Sequence, residues 1–257
     1  PETWKDALRP GTKLVLVETI TNPLMRVPRL REIAAFAREE RLLSVIDNTF
    51  ASPVNFRPLS AGFDLVFHSA TKYLNGHSDL VGGCILGAGH PLGTVRKTLN
   101  HLGGSLDPHA AFLLARGLKT LALRVKAQNA NALALARFLA GHPRVLQVNY
   151  PGLETHPDHA HARELLSGFG GMLSFRLKGG TEAADRLIAA LTLPAFAPSL
   201  GGVESLITRP ALTSHAGLTR AERDRMGVSD DLVRMSCGIE AAEDLIEDFR
   251  GALEPAS

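Results

Sequence analysis

Along the first half of the chain, short apolar runs alternate with amphipathic stretches. Leu14–Val17 reads as a strand, Leu30–Glu40 as a helix opening near Pro28, and Leu42–Ile46, Asp64–His68 and Gly82–Leu86 as further strands. Strands and helices alternating in this way predict crossover connections and a mostly parallel sheet with flanking helices. The later runs are nearly all apolar, as expected of strands buried on both faces. From His109 to Ala140 apolar residues recur at helical spacing, with Phe112, Leu113, Leu121, Val125, Leu133, Leu135 and Leu139 available for one buried face. Gly141-His142-Pro143 is a stop signal for that helix. Beyond it the pattern changes. Val145–Tyr150, Met172–Leu177 and Leu232–Ser236 read as strands, and Ala160–Leu166, Thr181–Leu191 and Ala241–Leu253 as helices. The expected architecture is α/β, a partial large domain over residues 1–118. The long connecting helix and a smaller α+β C-terminal domain occupy residues 119–257.

Composition narrows the function classes. The 257 residues are 45% hydrophobic and 21% charged, ordinary for a globular enzyme. A formal charge of +2 with scattered Lys and Arg gives no basic stripe for nucleic acid. No apolar run reaches membrane-spanning length, and the opening residues carry no signal-peptide pattern. Two cysteines, Cys84 and Cys237, are too few for a disulfide framework and read as reduced thiols of a cytoplasmic protein. The chain opens on Pro1 and soon enters a strand-like run, which reads as the middle of a domain.

The densest chemistry lies between His68 and Gly83, downstream of Ser44-Val45-Ile46-Asp47-Asn48. Lys72 follows two hydroxyls, Ser69 and Thr71, and Asp47 ends an earlier strand. These are the groups that hold pyridoxal 5'-phosphate (PLP). A lysine amine forms an imine with its aldehyde, and hydroxyls and backbone N–H groups receive a phosphate. A carboxylate keeps the pyridine nitrogen protonated. Singly each is commonplace; together they fall at the carboxyl ends of neighbouring strands, where open α/β sheets bind ligands. Two rival chemistries are weaker. Ser69-x-x-Lys72 fits the serine acyl-transfer signature, yet its companion motifs reduce to Ser78-Asp79-Leu80 and Lys97-Thr98-Leu99. His156, His159 and His161 lie within six positions, but without the i, i+4 pair of zinc hydrolases; a turn and helix start is the expected role, with no metal.

Five longer motifs carry a resemblance. They are Glu18-Thr19-Ile20-Thr21-Asn22-Pro23, Ile46-Asp47-Asn48-Thr49-Phe50, His68 through Gly83, Ser199-Leu200-Gly201-Gly202-Val203-Glu204-Ser205, and Leu232-Val233-Arg234-Met235-Ser236-Cys237-Gly238-Ile239-Glu240. In that order they resemble the Cys/Met-metabolism family of PLP enzymes, the cystathionine γ-synthases, γ-lyases and β-lyases and the methionine γ-lyases, of PLP fold-type I. The resemblance implies that Lys72 carries the cofactor and moves protons between substrate carbons. Ser69 and Thr71 would hold the phosphate, Asp47 would face the ring nitrogen, and Asn22 the ring's phenolic oxygen. Arg234 would grip the amino-acid substrate's α-carboxylate through its planar fork, with Ser199 helping to place it. Flanked by Leu232, Val233 and Met235, Arg234 is expected to be buried, and a buried arginine needs an anion.

The implied activity is γ-elimination or γ-replacement on a sulfur amino acid or activated homoserine, as by cystathionine γ-lyase or γ-synthase. Leu200 resembles the γ-type enzymes rather than the β-lyases, while Pro198 stands where many γ-type members carry glutamate. Methionine γ-lyase chemistry is one alternative. The other is a non-catalytic remnant acting only as an assembly module, because family members are longer by roughly a third on the N-terminal side. The resemblance further implies a homotetramer built from dimers, or association with the missing N-terminal segment.

Overall fold

The computed structural model describes residues 2–254 and contains two sheets joined by one long helix. After a short helix α1 (Glu2–Asp6), β1 (Leu14–Glu18), α2 (Leu30–Glu39), β2 (Leu43–Asp47), the one-turn α3 (Ser52–Asn55) and β3 (Leu65–Ser69) follow in order. These three strands run parallel, with Glu18 beside Asp47 and Asp47 beside Phe67, so all three end at one edge. Strand β4 (Gly83–Gly87) closes this sheet antiparallel to β3, with Ser69 opposite Gly83. The helix α2 forms because Leu30, Ala34, Phe36 and Ala37 share a buried stripe, while Glu32 and Arg38 occupy the first and last turns.

Helices α4 (Gly89–Leu102), α5 (Pro108–Leu118) and α6 (Leu121–Ala140) lead to the second sheet. It comprises β5 (Val145–Asn149), β6 (Met172–Leu177), β7 (Ala195–Phe196), β8 (Leu206–Thr208) and β9 (Val233–Ser236) in the order β5-β6-β9-β8-β7. Every pairing is antiparallel except β7 with β8. Helices α7 (His159–Leu165), α8 (Gly180–Ala190), α9 (Arg220–Arg225) and α10 (Ala242–Leu253) complete the chain. The two apolar cores meet along α6. Leu121 and Val125 pack with Ile46, Val66 and Tyr73, whereas Ala132, Leu135 and Leu139 pack with Phe175, Met235 and Phe249.

Two expectations need correction. The stretch 109–140 is two helices: the chain turns at Lys119-Thr120 after Gly117, where an added Cβ would lie 2.2 Å from the Asn75 carbonyl oxygen. Phe112 consequently leaves the buried face and is 63% exposed. The first sheet is also not buried on both faces throughout. Leu14 and Leu16 of β1 and Ile85 and Leu86 of β4 are exposed, because β1 and β4 are edge strands; only β2 and β3 lie between neighbours.

Candidate active site

The parallel strands deliver the first groups. Asp47 ends β2, accepts the Thr49 N–H at 2.8 Å and forms no ion pair among the described residues. Its neighbour Glu18 accepts the Asn22 N–H; burial, reinforced by Asp47, raises the Glu18 carboxyl above its ordinary value. Burial holds the His68 imidazole below its usual value against the pull of Asp47, so the ring is neutral at pH 7. At the end of β3, the Ser69 N–H donates to Thr49 Oγ at 2.9 Å, and the Ser69 hydroxyl has no hydrogen bond among the described residues.

Lys72 sits in the tight turn that follows. Its N–H donates to the Ser69 carbonyl and its carbonyl accepts the Gly76 N–H, which requires the positive φ of 75° that Gly76 adopts. The ammonium donates to Ser199 Oγ at 2.6 Å and has no carboxylate partner among the described residues. Burial and, second, the nearby Arg234 charge lower its pKa, which favours the free amine.

Arg234 of β9 is 4% exposed and also lacks an acidic partner among the described residues. Its guanidinium donates from one terminal nitrogen to Asn22 Oδ1 at 3.0 Å and from the other to the Ser199 carbonyl at 3.1 Å. Burial pushes it down to about 10. Ser199 is held at a φ of 93°, uncommon for a residue with a side chain, so one residue accepts from both cations.

Lys72, Ser199, Arg234 and Asn22 are thus joined by direct hydrogen bonds, although they come from both sheets. Asp47 and Ser69 border them on the strand ends. Thr71 is different: its hydroxyl donates to the Gly82 carbonyl at 3.2 Å and accepts the Gly82 N–H at 3.0 Å, bracing the Lys72 turn. Ser69 and Lys72 share no side-chain bond, so the acyl-transfer pairing is not formed. Nor do the three histidines converge: His156 accepts the Asp158 N–H, His159 meets the Pro151 carbonyl and His161 the Val27 carbonyl. No group of three or more potential metal ligands occurs among the described residues.

Sequence reasoning missed a polar stripe on α6. Arg124 donates to the Tyr73 and Gly117 carbonyls at 2.9 and 2.8 Å, Gln128 to the Gly202 carbonyl at 2.7 Å, and Asn131 to the Gly238 and Glu240 carbonyls. Apart from the Gly117 bond, which holds α5, they grip the Lys72 turn, the loop after Ser199 and the loop that follows β9 and its Arg234. The i, i+4, i+7 spacing of three polar residues beside Leu121, Val125 and Leu135 was the available signal.

The donor set suits PLP. A half-buried amine of lowered pKa, a strand-end carboxylate without a cation, a free hydroxyl and a buried guanidinium awaiting an anion are what an aldehyde, a pyridinium, a phosphate and an amino-acid carboxylate require. The fold and this lysine define a PLP-type α/β enzyme scaffold. The sequence pattern of the Cys/Met metabolism PLP-dependent enzymes matches residues 1–254, and the chain belongs to that family.

Similar proteins include a cystathionine gamma-lyase of Bacillus subtilis (strain 168), 46% identical over 98% of this chain and 67% of the relative. A cystathionine beta-lyase of Coxiella burnetii is 44% identical over 97% of this chain and 65% of the relative. Among solved structures, the cystathionine gamma synthase from Xanthomonas oryzae pv. oryzae in complex with cystathionine superposes with a TM-score of 0.95 and 47% identity, over 98% of this chain and 66% of that one. The chain therefore spans about two thirds of the length of these relatives.

Proposed function

We propose that this chain forms the lysine-bearing part of a PLP-dependent enzyme that carries out γ-elimination or γ-replacement on a sulfur amino acid or activated homoserine, as a cystathionine γ-lyase or γ-synthase. The observation that carries the reading is the contact of Lys72 with Ser199, itself bonded to Arg234. One amine and one carboxylate receptor thereby face a common space. PLP bound there supplies an aldehyde and an electron-accepting ring. Lys72 Nζ, lowered in basicity by burial and Arg234, takes the substrate's Cα proton and returns protons further along the substrate. Arg234 and Ser199 hold the substrate carboxylate, with Asn22 fixing the guanidinium. Asp47 keeps a proton on the ring nitrogen, and the Ser69 and Thr71 hydroxyls receive the phosphate, Thr71 also bracing the Lys72 turn against Gly82.

Similar proteins of γ-lyase, β-lyase and γ-synthase type fall between 41% and 47% identity, so identity does not choose among them. Leu200, a leucine rather than an aromatic residue directly after Ser199, supports the γ-type reading. The break between α5 and α6 supports the domain division at residues 118/119. Exposed Leu16, Ile85 and Phe112 support a working assembly, a homotetramer or one completed by an N-terminal segment. The free thiols of Cys84 and Cys237 support a cytoplasmic setting, and no helix among the described residues is long and apolar enough to cross a membrane.

The test is incubation with PLP, borohydride reduction, and intact-mass analysis with peptide mapping. A pyridoxyl phosphate group fixed on Lys72 is expected. Its absence from Lys72 in both this chain and an assembled or longer species would sink the reading.

A further inference from the structure

Two stretches, residues 199–205 and 234–240, are fastened side by side behind the contacts of Lys72, Ser199 and Arg234. Arg234 donates to the Ser199 carbonyl at 3.1 Å, the Gly201 N–H to Ser236 Oγ at 2.8 Å, and the Ile239 N–H to the Val203 carbonyl at 2.9 Å. The Gly238 N–H donates to Ser205 Oγ at 2.9 Å. A Cβ at Gly238 would lie 2.2 Å from the Val203 carbonyl oxygen, so only glycine allows this approach. Past Ser205 the first stretch returns as β8, antiparallel to β9. Residues 203–205 therefore form the bend of a loop whose other end carries Ser199.

Glu240 closes that bend. Its Oε1 accepts the Ser205 N–H at 2.6 Å and its Oε2 the Ser205 hydroxyl at 2.8 Å, and Ser205 is buried. Hydrogen bonds to a carboxylate are about twice as strong as neutral ones. Glu240 forms no ion pair among the described residues, so both its oxygens serve one residue. Asn131 of α6 donates to the Glu240 carbonyl at 2.7 Å and fixes the acid from behind. The bend also reaches the Lys72 turn, because the Val203 N–H donates to the Gly76 carbonyl at 2.9 Å. Ser199 keeps a φ of 93°, a conformation that persists in a residue with a side chain only where its surroundings impose it.

We propose that Glu240 is a positioning residue. By tying the bend at Ser205 to the segment that follows Arg234, it holds Ser199 in place between Lys72 and Arg234. Glu240 acts through Ser205 and the loop, and its effect on substrate rests on the carboxylate-binding role proposed above for Ser199 and Arg234. An acid serving only the N-terminus of α10, which begins two residues later, would gain nothing from the Ser205 bonds.

The test compares the full-length wild-type chain with Glu240→Ala and Glu240→Gln. Glutamine keeps an acceptor for the Ser205 N–H and turns a donor towards Ser205 Oγ, but carries no charge. Amide hydrogen exchange at Gly201 and Val203 is measured without cofactor, with β2 as the internal control. PLP on Lys72 is mapped after borohydride reduction, and L-alanine affinity is read by absorbance titration of the PLP-loaded chain. Glu240→Ala should speed exchange at Gly201 and Val203 but not in β2, and leave PLP on Lys72. It should weaken L-alanine binding about tenfold, whereas Glu240→Gln should stay within about twofold of wild type. Unchanged exchange at Gly201 and Val203, or unchanged L-alanine affinity, in Glu240→Ala overturns the proposal. So does Glu240→Gln behaving like Glu240→Ala, which would mark a role for the charge alone, or faster exchange in β2 as well, which would mark a general loss of stability. Should the wild type take no PLP, the catalytic reading falls, and the exchange comparison decides for or against Glu240 by itself.

Discussion

Replacing Arg124 by methionine removes the clamp between α6 and the turn that carries Lys72. The Tyr73 carbonyl accepts only from Arg124 among the described hydrogen bonds, whereas the Gly117 carbonyl keeps the Thr120 N–H. One buried acceptor is therefore stranded, at a cost of about 1–3 kcal/mol. The guanidinium is itself 4% exposed without an acidic partner among the described residues, and burial lowers its pKa, so its removal returns part of that cost. A net loss of about 1 kcal/mol corresponds to a Tm decrease of about 2–4 °C for a chain of this size.

Gly76 makes the reasoning sharper. A Cβ there would lie 1.9 Å from Arg124 Nη1, at a φ of 75°. Gly76→Ala should cost about 1–2 kcal/mol from backbone strain alone. It should cost more in the wild type because the guanidinium must move. In the Arg124→Met background only the strain remains, so a double-mutant cycle should show coupling of about 1–2 kcal/mol. Denaturant unfolding of the four species provides the measurement. Additive effects, or a Tm change below about 2 °C for Arg124→Met, would refute the clamp.

Arg234→Met removes a buried cation with no acidic partner among the described residues, so stability should hold or rise while affinity for an amino-acid carboxylate falls at least about thirtyfold, roughly 2 kcal/mol. Equilibrium binding alongside a melting curve checks both halves, and a fall in Tm with affinity intact would contradict them. For Asp158, burial raises the pKa but the Arg26 ion pair and the Val27 N–H outweigh it, leaving the folded value below 3.8. Its contribution to stability is accordingly complete above the unfolded value and disappears as pH falls through the folded one. Acid-unfolding curves of wild type and Asp158→Asn should converge at the low end, and a constant gap between them would contradict this. Leu16→Lys, on an exposed edge position, should shift stability by no more than about 0.5 kcal/mol while reducing self-association in sedimentation. A large loss of stability would mean that Leu16 packs within the chain after all.

Much of this structure is legible in the sequence wherever a residue's own pattern decides its fate. Strands β2, β3 and β6 fall within a residue or two of their apolar runs, because β2 and β3 lie between neighbours and Met172–Leu177 crosses the second core. Burial of Arg234 is legible because Leu232, Val233 and Met235 flank it, whereas Lys72 and Asp47, only half-buried, stand out in the sequence just as polar groups at the ends of apolar runs. What the pattern cannot carry is the partner. Leu14 and Leu16 look like core residues but sit on an edge strand; apolarity records a preference for burial, not what is present to cover it. Thr71 also braces its turn against Gly82, eleven residues on, a pairing that its own position does not reveal. Strands β7 and β8, two and three residues long, are too brief for any period to register. The α6 clamp acts through backbone carbonyls, which every residue possesses and which leave no trace in the sequence of the loops they hold.

Lys72 and Ser199 lie 127 positions apart, in loops that adjoin different sheets. A molecule held at once by Lys72 and Arg234 would act as a fastener between the loops of the two sheets. By mass action, bound ligand at 100 times its Kd would add about 2.7 kcal/mol to their docking. Heat or denaturant that parts the sheets also opens the first core, because Ala162, Leu166, Met172 and Leu200 lie in it beside Ile46 and Val66, so ligand loss and core melting should coincide. Saturating ligand should accordingly shift one cooperative transition upward as a whole.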